Sequence, residues 1–485
     1  MTGTLARVEK KNPLKSILGF FKGVAVDFAE GDAYVKLSAL VMGVGFFRRR
    51  QIVKGLIMTA FQVVIIFFAF EFAAQYLAKF DTLGTVQLER VWSHELRDNV
   101  VNDYDDSFQI LLYSIVSIIV LLGAFLVYLR NIRNVRALEV RAREGKKINS
   151  FLDDIKSARD ERFHVTLLSL PCLGIVLFTI IPLVVLIAVA FTSYDQFNRP
   201  PGALFTWVGF DNFRTLFTNT ASTSFGYAFG IVLTWTLTWA FAATFSNFFL
   251  GIMLASFINN AKTKIKRAWR TMFIVTIAVP QFVSLLLVRN FFARTGIANT
   301  IAADFGLTEF LLNIGLIPGH LDYIPFLEHP GWARVMIILI NVWIGVPFMM
   351  LIATGVLMNI PKELYESARI DGASPFKQFV YITMPYMLFV TAPFLVTQVV
   401  HNINNFNVIY LLTQDVYTTL DQSLANVNAK EVDLLVTWLH RLTQEQYDFK
   451  MASVIGIMVF IVSAVFTLVA FNLIINRNKE DKFQL

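Results

Sequence analysis

Gln398, His401, Asn402 and Asn405 fall at i, i+3, i+4 and i+7 in an apolar run from 387 to 412. On a helix that spacing puts three amides and an imidazole on one face. Asn341, Gly345 and Phe348 repeat the spacing in the run from 335 to 358, with Pro347 loosening the helix between them. An amide donates and accepts together, which suits vicinal hydroxyls, and an aromatic ring can cover the apolar face of a sugar. Two such faces would make a neutral, hydroxyl-reading pocket. The same stripes also describe helices that hydrogen-bond to one another through their amides, at about 1 kcal/mol per contact. Spacing alone does not separate the two readings.

Parts for other chemistry are missing. The chain has no G-x-x-x-x-G-K-[ST] to cradle phosphate, no H-E-x-x-H, no G-x-S-x-G and no C-x-x-C. The histidines are scattered and only His401 joins the stripe, so hydrogen bonding suits it better than metal ligation. One cysteine, Cys172, allows neither an intrachain disulfide nor a cysteine cluster. The expectation is no catalytic residue, no metal and no cofactor bound by this chain.

The elements that must position the stripes are set by composition. With 56% hydrophobic and 16% charged residues, and 47 phenylalanines among 485, this is an all-α polytopic membrane protein. Eight apolar runs, at 55–77, 108–129, 165–192, 228–258, 271–292, 335–358, 387–412 and 451–475, are each long enough to cross about 30 Å of hydrocarbon. Segments on the side of the N-terminus carry 31 Lys and Arg, and the opposite segments carry 11. That asymmetry places both termini in the cytoplasm. Nucleic acid is not expected, because the basic segment 130–164 also holds six acidic residues, a poor phosphate track. No mid-span carboxylate marks an ion-coupled carrier, which counts against an ATPase-independent secondary transporter.

A polar island, 359–374, separates the sixth and seventh runs on the cytoplasmic side. Pro361 can take the first helical position and Gly372 can end the helix, so 362–371 reads as about three turns. Leu364, Ser367, Ala368 and Asp371 share one narrow face of it, and Ser374-Pro375 reads as the start of a second helix. Glu366-Ser367-Ala368, with Gly372, Ile382 and Pro385 at fixed offsets, resembles the EAA loop of ABC-importer permeases. The resemblance implies a type I importer fold. It also implies that Glu366, Ser367, Ala368, Asp371, Gly372 and Ala373 form a coupling helix docking into an ATP-hydrolysing partner.

Asn402-Ile-Asn-Asn-Phe406 and Asn341-Val-Trp-Ile-Gly-Val-Pro-Phe348 resemble the sugar-contacting segments of maltose/maltodextrin-type permeases. By that similarity Asn341, Ile344, Gly345, Phe348, Gln398, Asn402 and Asn405 are substrate-binding positions. Phe348 stands where the family example has tyrosine, and Gln398 where it has serine. The implied function is import of maltose or maltodextrins across a bacterial plasma membrane, with another neutral oligosaccharide or glycoside as the alternative cargo. The implied partners are a second, homologous permease subunit, two ATP-binding subunits that use ATP and Mg, and an external sugar-binding (lipo)protein.

Remaining segments are read more simply. The organisation is a cytoplasmic and interfacial segment 1–54, two spans with a charged loop to 164, a permease core 165–475 containing the coupling loop 359–386, and a tail 476–485. Residues 12–50 form either interfacial helices, with Arg48, Arg49 and Arg50 at lipid headgroups, or only a positive flank. Lys262, Lys264, Lys266, Arg267 and Arg270 anchor the fifth span. Gly226 and Gly230 form a G-x-x-x-G suited to helix packing. In 433–442, Leu434, Leu435, Trp438, Leu439 and Leu442 share a face that should lie on the outer membrane surface or under a docked partner.

Overall fold

The computed structural model describes residues 13–93, 98–218, 224–259 and 265–480. Two compact units divide it, Met1–Trp207 and Val208–Leu485. Among the described residues, seven helices are long and apolar enough to cross a membrane, or eight if one bent pair counts as a span.

The first unit opens with α1 (Pro13–Glu30), α2 (Ala33–Leu37) and α3 (Val44–Arg48). The spans α4 (Ile52–Leu77), α5 (Ser107–Arg143) and α7 (Phe163–Val189) follow, with the short α6 (Phe151–Arg159) before the last. Val24, Val35 and Phe46 bury against Leu129, Ile132, Val135 and Leu138, so α1 to α3 clamp the end of α5 rather than lie free. Gly45 allows this, since a Cβ there would overlap the Val135 side chain. Arg49 does not reach toward headgroups. It is buried, 2.9 Å from both Asp32 Oδ2 and the Gly45 carbonyl. Asp32, which caps α2, supplies the counter-charge that makes burial tolerable.

At the opposite end of α4 and α5 a small hairpin pairs β1 (Arg90–Ser93) with β2 (Asp98–Val101), a strand element the apolar periodicity does not announce. Asp105 holds the adjoining turn. One oxygen accepts from Lys79 Nζ at 2.6 Å and the other from the Thr85 and Val86 amides at 2.9 and 3.1 Å. Burial alone would raise the Asp105 carboxyl. The ammonium and the two amides outweigh it and hold it below the usual carboxylate range.

The second unit contains α8 (Asp211–Phe217), the long α9 (Phe225–Asn259), and α10 (Lys266–Ala278) with α11 (Gln281–Phe291). The short pair α12 (Ile297–Asp304) and α13 (Leu307–Asn313) leads to α14 (Pro330–Leu357). After these come α15 (Lys362–Ile370), α16 (Met384–Ile403), α17 (Phe406–Thr413), α18 (Leu435–Gln444) and α19 (Phe449–Glu480). The fifth apolar run is not one helix: α10 and α11 meet at 90°. Val279 is extended there because the Pro280 ring disfavours helical backbone in the residue before it. Lys262 and Lys264 lie outside the described residues.

Gly230 faces open space, so the expected packing at Gly226/Gly230 is not made through it. The close approach on α9 comes at Gly251, where a Cβ would stand 2.7 Å from Met349 Cβ on α14. The face of α18 is a second correction. Leu434, Leu435, Trp438 and Leu442 are fully buried within this chain, not left for membrane or partner. Phe225 on α9 stacks on Trp438, whose indole donates to the Val427 carbonyl at 2.9 Å. Beneath lies a buried Arg441–Asp433 pair, with Thr437 Oγ1 and the Lys430 amide also donating to Asp433. A buried pair needs such further donors to offset desolvation.

Candidate functional site

The walls of the site come from α9, the α10–α11 break, α14 and α16. The side chain of Asn247 on α9 lies so near Gly345 on α14 that a Cβ at 345 would stand 2.7 Å from Asn247 Cγ. With Gly251 one turn further along α9, this glycine lets the two helices cross closely. Between the walls is a cavity of about 420 Å³. All seven expected substrate positions, Asn341, Ile344, Gly345, Phe348, Gln398, Asn402 and Asn405, line it. Among the described residues no Asp, Glu, Lys or Arg does, and His401 is the one titratable lining residue.

The amides divide into two kinds. Asn402 Nδ2 donates to Thr244 Oγ1 at 2.9 Å, and the Asn402 carbonyl accepts from Trp239 Nε1 at 3.2 Å. Asn405 Nδ2 donates to Asn402 Oδ1 at 3.4 Å. The first two bonds tie α16 to α9, and the third braces Asn405 against Asn402. By contrast, Asn341 Nδ2 and Asn247 Oδ1 are buried without a hydrogen-bond partner among the described residues. A buried, unpaired amide atom costs about 1–3 kcal/mol, and a turn of either side chain toward the cavity it lines would let a polar ligand recover it. The bonds of Asn402 follow the helix-to-helix reading of the stripe, and Asn341 Nδ2 and Asn247 Oδ1 stand outside it.

The expected stripe is not one continuous helix. α16 ends at Ile403, and Asn405 caps α17, its Oδ1 accepting the Val408 amide at 3.3 Å. Asn404 Nδ2 bonds the Val400 carbonyl at 3.0 Å. Adjacent asparagines offer the backbone such local partners and so compete with helix propagation. Gln398, His401 and Asn402 keep the helical spacing, and Asn405 joins them from the break.

Sequence reasoning missed two features of the wall. Residues 276–281, around the α10–α11 break, line the cavity, and irregular backbone at membrane depth is tolerated only where it meets protein or a cavity. Val279-Pro280 was the available signal. Asn247 was also missed, although an amide in the middle of the apolar run 228–258 is the kind of residue a span carries for a reason.

The polar island forms α15. Pro361 is extended and sits just before the first turn rather than in it, and Asp371 is the C-cap, so the helix is one residue shorter than expected. Gly372 is left-handed (φ +76°). The Ala373 amide bonds the Ala368 carbonyl at 2.8 Å and the Gly372 amide bonds the Arg369 carbonyl at 3.1 Å, a Schellman end. Ser374 then caps the next helix through the Lys377 amide. Glu366, Ser367, Asp371 and Gly372 are exposed, and Ala368 and Ala373 are half-covered. Beside them stand Leu364, Ile370 and Phe376, the last two 87% and 75% exposed. Such an uncovered apolar ridge on a polar knob is suited to a partner's groove.

Compared with known proteins, residues 247–479 match the family described as "Binding-protein-dependent transport system inner membrane component". The chain is 32% identical to the galactooligosaccharides transport system permease protein GanP of Bacillus subtilis (strain 168), over 88% of this chain and 94% of that one. It is 31% identical to the maltodextrin transport system permease protein MdxF of the same organism, over 90% and 94%. The chain belongs to this family. It is a membrane-spanning permease subunit of an ABC importer and a multi-pass plasma-membrane protein. It is also 30% identical to the maltodextrin transport system permease protein MalC of Streptococcus pneumoniae serotype 4 (strain ATCC BAA-334 / TIGR4), over 95% of this chain and 100% of that one. Among solved structures, a bacterial ABC transporter involved in the import of the acidic polysaccharide alginate superposes with a TM-score of 0.50 at 25% identity. That match covers 66% of this permease and 98% of the other chain.

Proposed function

We propose that this permease carries a neutral oligosaccharide, a maltodextrin in the first instance, through the cavity between α9, α14 and α16. The observation that carries the reading is the pairing of an uncharged lining with the unbonded Asn341 Nδ2 and Asn247 Oδ1. One donor and one acceptor on residues lining the same cavity suit the hydroxyls of a sugar, and Phe348 offers an aromatic face. Gln398 reaches the same space, while Asn402 and Asn405 hold the wall and present what remains of their amides. Ile344 and Gly345 shape the floor.

In this reading Glu366, Ser367, Ala368, Asp371, Gly372 and Ala373 carry coupling. Two ATP-binding subunits, using ATP and Mg, grip α15 here and the corresponding helix of a second, homologous permease. As they close around ATP, the paired permeases turn the cavity outward, and an external binding protein delivers the sugar. Hydrolysis returns the cavity to the cytoplasmic side, where both termini lie. The chain itself contributes binding and movement and no catalytic group.

A second cargo, a galacto-oligosaccharide, is favoured by the similarity to GanP. Uptake of labelled maltotriose by cells expressing the permease with its partners, with unlabelled maltotetraose or galactotriose as competitor, separates the two. The maltodextrin reading expects uptake and competition by maltotetraose alone. Competition by galactotriose alone, or no maltotriose uptake, assigns the cavity to another neutral glycan.

A further inference from the structure

In the first unit a groove of about 1080 Å³ runs between α1 and one face of α5. Arg130, Arg133, Asn134, Ala137 and Arg141 succeed one another at i, i+3, i+4, i+7 and i+11 along that face. The lining holds six basic residues against Asp27, Glu30 and Glu144. Those three acids are already engaged: Asp27 with Arg133 at 3.3 Å, Glu30 with Arg136 at 3.5 Å, and Glu144 with Lys146 at 2.7 Å. Arg130 and Arg141 have no ion-pair partner among the described residues, so the groove carries uncompensated positive charge.

Its two ends differ. Arg130 is the first charged residue after the apolar stretch of α5, residues 107–129, so the groove begins where hydrocarbon ends. Arg133 lies over the Phe20 ring at 5.2 Å, and Leu18 and Phe21 on the same helix are exposed beside it. Arg141 lies about 16 Å further along the helix axis, beyond headgroup depth if the helix stands upright. We propose that the Arg130, Arg133 and Phe20 end of this groove binds the phosphate headgroup of an anionic phospholipid, the aromatic ring and exposed leucine receiving the first carbons of its chains. A soluble phosphate ester would match the charge but has no use for this apolar rim. The leaflet, though not the site, rests on the orientation proposed above.

Native mass spectrometry of the purified full chain in detergent tests the site without sugar, ATP or partners, so its failure is separate from failure of the transport reading. Phosphatidylglycerol and phosphatidylcholine would be added in equal amounts. The wild type should retain phosphatidylglycerol preferentially, and Arg130→Gln with Arg133→Gln should cut the preference about thirtyfold. Arg141→Gln should leave it unchanged, and millimolar glycerol 3-phosphate should not displace the lipid. Equal losses from Arg141→Gln and the double variant would mean a diffuse basic flank rather than a site. Displacement by glycerol 3-phosphate would assign the groove to a soluble ester. Unchanged preference in the double variant, with an unchanged melting curve, would also overturn the proposal.

Discussion

Gly345 has no room for a side chain, because the Asn247 amide fills the space where a Cβ would point. Gly345→Ala should therefore displace Asn247 while leaving the helix crossing, still held by Gly251 and Met349, intact. If Asn247 Oδ1 accepts a substrate hydroxyl, the KM for sugar uptake should rise about tenfold, the loss of one good hydrogen bond. Co-purification of the ATP-binding subunits should not change. An unchanged KM would mean that Asn247 does not face the substrate. At this scale the sequence was informative about residue types and silent about partners. The amides at 341, 398, 402 and 405 were legible from helical spacing, and all line one cavity. Which amides are already bonded was not legible, because Thr244 and Trp239 sit more than 150 residues from Asn402 and nothing local pairs them.

Elements were legible wherever hydrophobic length decides them, and less so where one residue breaks a run. Seven of the eight apolar runs are single spans or spans bent within themselves. The fifth is divided at Pro280 because a proline restricts its predecessor and supplies no amide. The amphipathic stretch 433–442 is helical from Leu435 onward, as its period implies. Its period could not say that the helix is covered by this chain, since apolar faces are the same toward lipid and toward protein. The turn after α4 was not anticipated at all. Its organiser, Asp105, has a depressed carboxyl pKa, so its contribution is present above the unfolded value of about 3.9 and is lost as pH falls through the lower native one. Asp105→Asn should cost about 1–3 kcal/mol of stability at neutral pH. Melting of both proteins in detergent should converge as pH drops below about 4. A difference that persists unchanged in acid would show that the charge is not what stabilises the turn.

For the whole molecule, orientation and division of labour are the claims at stake. With Cys172 replaced by serine, a cysteine at exposed Lys377 should react with a membrane-impermeant maleimide only in inside-out vesicles. One at exposed Asp322 should react only in intact cells. The reverse pattern would overturn the charge-based topology. The central claim is that recognition and coupling are separate devices, the cavity amides and α15. Asn341→Ala and Gly372→Arg test it most directly, since Asn341 Nδ2 has no bond among the described residues to lose and Gly372 holds a left-handed end that a side chain strains. Uptake of labelled maltotriose and co-purification of the ATP-binding subunits would be measured together. The account predicts that Asn341→Ala lowers uptake about tenfold with the subunits still attached, and that Gly372→Arg loses both. Full uptake by Asn341→Ala, or Gly372→Arg complexes that stay assembled and active, would contradict it.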